Sequence, residues 1–299
     1  MRNFVTNFYK ILDICKDFSK TIVELQERVK PGPKPLMSDL EVIALGITAE
    51  VFQIDSENML FTMLGNAEIT ISNLISRRQY NDRRKRLCLV TEILRKKVAE
   101  YIDGSENVII VDSKPVQVCK FARARRCKFS KSGYSEFKPS FGYCASQRSV
   151  YYGYKLHSVC GLSGVIHSYD FTKAEVHDIN YLKDVNSDYC DCTLLCDRAY
   201  ISMSQQLNLF ETANIRLEVP YRKNQKDYKP VFKAAAKFRK RIETVFSQLD
   251  DNFMMIRNYA KKFAGLFSRV VCKITAMTFL QYMNFIKGRP IGRIKYAYL

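Results

Sequence analysis

Four consecutive β-branched residues, Val108-Ile109-Ile110-Val111, followed at once by Asp112, constrain this 299-residue chain more than any other feature. An apolar run without alternation suits a strand covered on both faces, because an exposed face would alternate with polar residues. The run therefore reads as a strand buried on both faces of a sheet. Later segments supply the rest of such a sheet. Tyr151 to Cys160 and Gly164 to Phe171 read as two strands joined by the turn Gly161-Leu162-Ser163-Gly164. Thr193 to Cys196 is a short buried strand ending at Asp197, and Ile215 to Val219 a fifth. Helical patterns occupy Asp178 to Val185, Ser202 to Thr212, Val231 to Asp250 and Arg269 to Ile286. The order is strand, hairpin, helix, strand, helix, strand, helices. It predicts an α/β (α+β) architecture of ribonuclease-H-like type, a mixed five-stranded sheet with flanking helices.

Before residue 105 the pattern is helical. A first helix is expected from Asn3 to about Val29, stopped by Pro31-Gly32-Pro33. Ser38 with Glu41, and Ser76 with Gln79, have capping-box spacing and open further helices, the second running to about Tyr101. A short helix spans Ser56 to Leu64. Short helices ending in a basic one resemble a helix-turn-helix DNA reader; an ordinary helical bundle with a solvated basic face fits equally. The expected division is residues 1–104, a helical DNA-binding domain, and residues 105–299, a catalytic domain.

Charge points to the partner. Forty-eight Lys and Arg stand against 30 Asp and Glu, a net charge of +18. Such an excess favours a polyanion, nucleic acid before an anionic membrane surface. The cations concentrate in Arg77 to Lys97, Cys119 to Lys138 and Arg222 to Arg241. Arg77, Arg78, Arg83, Arg84, Arg123 and Arg222 are the expected DNA contacts there, with Lys155 reaching DNA from the sheet. Phe121, Phe129, Tyr134 and Phe137 interleave the second cluster and are expected to anchor a loop in the core rather than stack on bases. No apolar run approaches the roughly 20 residues of a membrane span, and Lys10, Asp13, Lys16 and Asp17 interrupt the N-terminal segment, so neither a signal peptide nor a membrane partner is expected. Ten cysteines without a C-x-x-C pair read as reduced thiols of a cytoplasmic protein. His157, His167 and His177 fall on two strands and a helix start, which argues against a shared metal.

Three acidic residues suggest the chemistry. Asp112 and Asp197 each end an apolar run. If those strands are parallel neighbours, their carboxylates converge where open α/β sheets bind ligands. Converging carboxylates repel, and a hard cation such as Mg²⁺ or Mn²⁺ would hold both ionised. Glu243 borders a helical apolar stripe of Phe238, Ile242, Val245, Phe246 and Leu249, with Arg239 one turn earlier. Taken singly, a strand-end Asp is often a turn residue and a Glu four residues after an Arg is often a solvated pair. Their conjunction in a strongly basic chain is more informative. Asp170, Asp178 and Glu218 are rival ligands ranked below the three.

Val111-Asp112-Ser-Lys-Pro115, Tyr152-Gly-Tyr-Lys-Leu-His157, Ala174-Glu-Val-His-Asp178, Cys196-Asp197-Arg-Ala-Tyr200 and Arg239-x-x-x-Glu243 together resemble a bacterial insertion-sequence DDE transposase, the 982-type group most closely. The likeness covers roughly residues 36–285. Where relatives often carry Tyr and Lys around the last motif, this chain has Ala236 and Asp250. The resemblance implies a ribonuclease-H-like core and two Mg²⁺ (or Mn²⁺) ions held by Asp112, Asp197 and Glu243. It also implies that Arg239 contacts DNA. Cleavage of the element's terminal inverted repeats, joining to target DNA, and a homodimer or higher oligomer on the bacterial nucleoid follow as expectations. A related nuclease without joining activity and a non-catalytic DNA-binding derivative are the alternatives.

Overall fold

The computed structural model describes residues 3–23, 33–65, 71–104, 106–131, 137–145, 147–220 and 233–298. They form two compact units. The first joins residues Met1–Ile102 to Gln248–Leu299, and the second is Asp103–Ser247. The C-terminal segment packs with the N-terminal helices.

The first unit contains α1 (Phe4–Ser19), α2 (Asp39–Val51), α3 (Glu57–Leu64), α4 (Arg77–Arg86) and α5 (Cys88–Asp103). The end of α8 (Lys233–Phe253) and the long α9 (Phe263–Ile286) return to it. Both expected capping boxes form, Ser38 with Glu41 and Ser76 with Gln79. Two expected helices are shorter than the pattern suggested. The first stops at Ser19, where the Ser19 and Thr21 hydroxyls donate to the Lys16 and Phe18 carbonyls and compete with helix continuation; residues 24–29 lie outside the described residues. The helix from Ser76 breaks at Leu87, which is buried and leaves the helical conformation, so that α4 and α5 are separate.

The α9 helix is apolar enough over 24 residues to suit a bilayer span, contrary to the expectation that no such run exists. Most of it is buried in the first unit, however, and Arg269 and Lys273 interrupt it. Lys273 pairs with Glu50 at 2.6 Å, both side chains nearly inaccessible. Arg269 and Arg84 clamp Glu57 from two sides. The ten cysteines are all free thiols.

The second unit is built on a curled mixed sheet of six strands: β1 (Val108–Cys119), β2 (Ser140–Cys144), β3 (Ser149–Gly161), β4 (Ile166–Lys173), β5 (Thr193–Leu195) and β6 (Arg216–Glu218). Their order is β2-β3-β1-β5-β6, with β4 paired to β3 beyond β2. The β1–β3, β2–β3 and β3–β4 pairs are antiparallel, and β1–β5 and β5–β6 parallel. This is the ribonuclease-H-like arrangement expected, with one strand more. The extra strand, β2, hides in Ser-Phe-Gly-Tyr-Cys, too short to show a period. Gly153 lets β1 and β3 approach: a Cβ there would stand 2.1 Å from the Val116 carbonyl oxygen.

Residues 109, 111 and 159 of the sheet, with Leu194, pack against Tyr181, Leu182 and Val185, the last two in α6 (Leu182–Asp188), and against Leu209 of α7 (Met203–Ala213). The buried stripe of α8 is Ile242, Val245, Phe246 and Leu249, while Phe238, expected in it, is partly exposed. The α8 helix also docks on the β3–β4 turn, where the Arg241 side chain donates to the Leu162 carbonyl at 3.1 Å.

Candidate active site

The parallel pairing of β1 and β5 ends just before two carboxylates. Ile110 of β1 and Leu195 of β5 are the last aligned pair; Asp112 and Asp197 each follow it by two residues, near enough that the charge of Asp197 bears on Asp112. Asp197 ends its strand as expected. Asp112 does not: β1 continues to Cys119, with Asp112 opposite Ser158 of β3. Asp112 instead marks the point where β5 leaves β1 and one edge of the strand loses its neighbour. The chain leaves because Asp197 caps a 3₁₀ turn, Arg198–Tyr200, its carboxylate accepting from the Arg198 N–H at 2.7 Å. Tyr200 is fully buried and anchors that turn. The Asp-Arg-Ala-Tyr sequence is thus a cap, a short turn and an anchor that together present one acid.

Asp112 is half-buried and accepts the Ser113 N–H at 2.8 Å. Burial pushes its carboxyl up to about 7, and the charges of Asp197 and Asp178 push the same way against Arg239 and the Ser113 N–H. Arg239 of α8 donates to Asp197 at 2.6 Å and lies 3.7 Å from Glu243, its neighbour one turn on. One guanidinium therefore links Asp197 to Glu243, whose carboxylate is exposed. Among the described residues, no three His, Cys, Asp or Glu side chains converge tightly enough to enclose an ion as they stand. With the guanidinium between two of the acids, that spacing is the electrostatically expected one.

The donor set nevertheless fits a hard divalent cation. Asp112, partly desolvated, lies near Asp197 just beyond the last aligned pair of β1 and β5, and Glu243 stands across a single Arg from Asp197. Oxygen-only donors suit Mg²⁺ or Mn²⁺ rather than Zn²⁺.

The rival acids have other partners or positions. Asp178 accepts from Ser113 Oγ and pairs with Lys155, each at 3.0 Å. It adds negative potential at Asp112, a role that the sequence pattern did not reveal because residue 178 lies far along the chain. Asp170 lies opposite His157 on β4, and Glu218 is exposed on the last strand of the sheet path. The three histidines lie apart, each with its own partner. His157 is buried, stacks on Tyr181 and bonds Thr172; His167 pairs with Asp103; His177 caps the turn at Asp178.

The expected DNA contacts divide. Arg77, Arg78 and Arg123 are exposed. Arg83 and Arg84 turn inward, Arg83 to Asp39 and the Met37 carbonyl, Arg84 to Glu57. Lys155 likewise is committed to Asp178 and the Val176 carbonyl, because its side of β3 faces the segment that follows β4 rather than open solvent. Arg222 lies outside the described residues. Of the aromatics in the second basic cluster, Phe129 anchors in the core as expected, Phe121 and Phe137 are exposed, and Tyr134 lies outside the described residues.

Residues 103–279, more than half of the chain, match the family described as the transposase DDE domain. The chain belongs to that family. No curated protein and no solved structure matches it. The matched span begins at the first residue of the second unit and takes in both aspartates, Arg239 and Glu243, as well as most of α9. Membership carries the general chemistry of the family, action on DNA with divalent metal ions.

Proposed function

We propose that this chain is an active insertion-sequence transposase, of the 982-type group that its motifs resemble, with Asp112, Asp197 and Glu243 as metal ligands. The observation that carries the reading is the proximity of Asp112 and Asp197 where β5 leaves β1, with Arg239 linking the second to Glu243. A pair of bound Mg²⁺ or Mn²⁺ ions would supply activation of the attacking oxygen and stabilisation of the leaving oxygen in an in-line displacement at phosphorus.

The protein's own groups then have definite tasks. Asp112, on an unbroken strand, is the rigid ligand, and its burial makes it the acid most dependent on added positive charge. Asp197, held by its own turn, is the second ligand. Glu243 is the movable one, on an exposed helical face. Arg239 holds Asp197 and Glu243 apart from one another's charge before substrate arrives, and afterwards its guanidinium is free to hydrogen-bond a phosphate of the DNA. The Ser113–Asp178–Lys155 chain positions β1 from the opposite side. Arg77, Arg78 and Arg123 supply phosphate contacts, and the helical unit reads the terminal repeats as a helix-turn-helix-like module. Two ends are joined by a dimer or higher oligomer.

The test uses the gene's own flanking DNA as donor. Purified protein with Mg²⁺ or Mn²⁺ should release a 3′-OH at the element's ends and join it to a target plasmid. Asp112→Asn, Asp197→Asn and Glu243→Gln should each abolish both steps and leave DNA retention unchanged. Cleavage without joining would reduce the activity to that of a nuclease. Full activity in all three variants would remove the metal-ligand assignment.

A further inference from the structure

The sheet face that carries Asp112 carries something else. Along β3, Ser158, Leu156, Tyr154, Tyr152 and Val150 alternate onto the face of Asp112, the cross-strand partner of Ser158. Phe141 pairs with Tyr152 and Tyr143 with Val150, so β2 adds two aromatics to the same face. A 3₁₀ segment, Phe121–Arg126, packs there too, with Ala124 buried beneath it. Phe121 meets Phe141 at 5.4 Å between ring centres, and Phe141 rests on Tyr152 at 4.8 Å.

Between these groups lies an open cleft of about 450 Å³, lined by Phe121, Ala122, Ala124, Arg125, Phe141 and Val150. Its two phenylalanines are 56% and 47% exposed, unusual for rings so well braced from below. The rim is cationic: Lys120, Arg123, Arg125, Arg126 and Lys128 are all exposed, and no acidic residue occurs between Asp112 and Glu136.

We propose that this cleft receives an unpaired nucleobase of a DNA strand, stacked on Phe121 and Phe141, with Arg125 against its phosphate. The inference rests on the reading that the chain processes DNA. The chemistry selects the occupant. Exposed ring faces bind planar π-systems, and a cationic rim adds the phosphate that a nucleotide brings. A base inside a duplex has no free face, so the occupant must be unpaired. A second copy of this chain is disfavoured, because a two-fold contact through the patch would set Arg123, Arg125 and Arg126 against their own copies. Six residues of β3 separate the level of Asp112 from that of Tyr152, roughly 20 Å at strand rise. The cleft would therefore hold a base several nucleotides away from a phosphate at the carboxylates.

The experiment compares binding of a fluorescein-labelled single-stranded oligonucleotide with that of a blunt duplex of the same length, by anisotropy with the full-length protein. Phe121→Ala and Phe141→Ala should each weaken single-strand binding about 5- to 150-fold, the range of one lost base stack, and leave duplex binding within about twofold. Phe121→Trp and Phe141→Trp should retain it. A 2-aminopurine in the oligonucleotide should be quenched by the wild type and not by the alanine variants. Equal losses on both DNAs, or no loss on either, would overturn the proposal. So would a wild-type dimer that Phe141→Ala converts to monomers. Wild-type protein that binds duplex while the variants match it on single strands defeats the stacking site alone. Wild-type protein that binds neither DNA defeats the DNA-processing reading itself.

Discussion

His157 gives a prediction whose size follows from its surroundings. The ring is fully buried, stacked 4.6 Å from Tyr181, and its Nε2 lies 2.8 Å from the Thr172 hydroxyl. Burial lowers its pKa to about 4; Asp178 opposes that shift and Lys155 reinforces it. In the unfolded chain the imidazole titrates near its ordinary value of about 6.5. Between these values the unfolded state holds a proton that the folded state refuses, so stability falls as pH drops through the window from 6.5 to 4. It is level above 6.5 and again below 4. The full loss is about 3 kcal/mol, at about 1.36 kcal/mol per pH unit of that window, and about 2 kcal/mol of it has gone by pH 5. His157→Gln keeps an amide near Thr172 and removes the proton site. Urea unfolding of both proteins at pH 7.5 and 5.0 isolates the effect, because other titrating groups cancel in the double difference. The wild type should lose about 2 kcal/mol more than the variant. Equal losses would mean that the ring is protonated in the folded protein and that Asp178 outweighs burial.

Four further outcomes are expected. Lys273→Met strands Glu50 in the core and should cost about 3–5 kcal/mol, most of it recovered in the double variant with Glu50→Leu; a single-variant loss under about 1 kcal/mol in urea would contradict the pairing. Arg239→Gln should change stability by less than about 1 kcal/mol, since its ion pairs are partly solvated. By removing a competitor it should tighten Mn²⁺ binding without DNA up to about fivefold, read by electron paramagnetic resonance titration, whereas weaker binding would show that the guanidinium does not compete. Gly153→Ala forces a Cβ onto the Val116 carbonyl and should cost about 3 kcal/mol and lower Tm in calorimetry; an unchanged Tm would mean that β1 and β3 separate freely there. Ser76→Ala removes one capping box and should lose about 1 kcal/mol, visible as reduced helicity on heating; no change would mean that α4 is held by packing alone.

The parts of the fold that the sequence revealed are those in which burial imposes a period. Val108 to Val111, the β3–β4 hairpin and the α8 stripe from Ile242 to Leu249 could be read because each is pressed on by a core. The β2 strand escaped because its five residues, two of them exposed aromatics, carry no hydrophobic alternation of the usual sense. The break at Leu87 escaped because both halves are good helix sequences. At the site, the run of β-branched residues placed Asp112 on a strand, but only pairing shows that the strand continues and that β5 departs beside it. The inward turn of Arg83, Arg84 and Lys155 was invisible for a related reason. A basic residue looks the same in sequence whether it meets solvent or an acid 44 residues away, as Arg83 meets Asp39.

The discontinuity of the helical unit bears on how the polypeptide matures at the ribosome. Val270, Ile274, Met277 and Phe279 fill the interior of a bundle whose first five helices are complete by Asp103, long before Phe263 is added. The amino-terminal helices must wait, incompletely covered, while the entire sheet emerges and can fold between them and their missing member. A chain cut short before Phe263 should therefore keep its sheet and expose the apolar flank of its first hundred residues to chaperones and proteases.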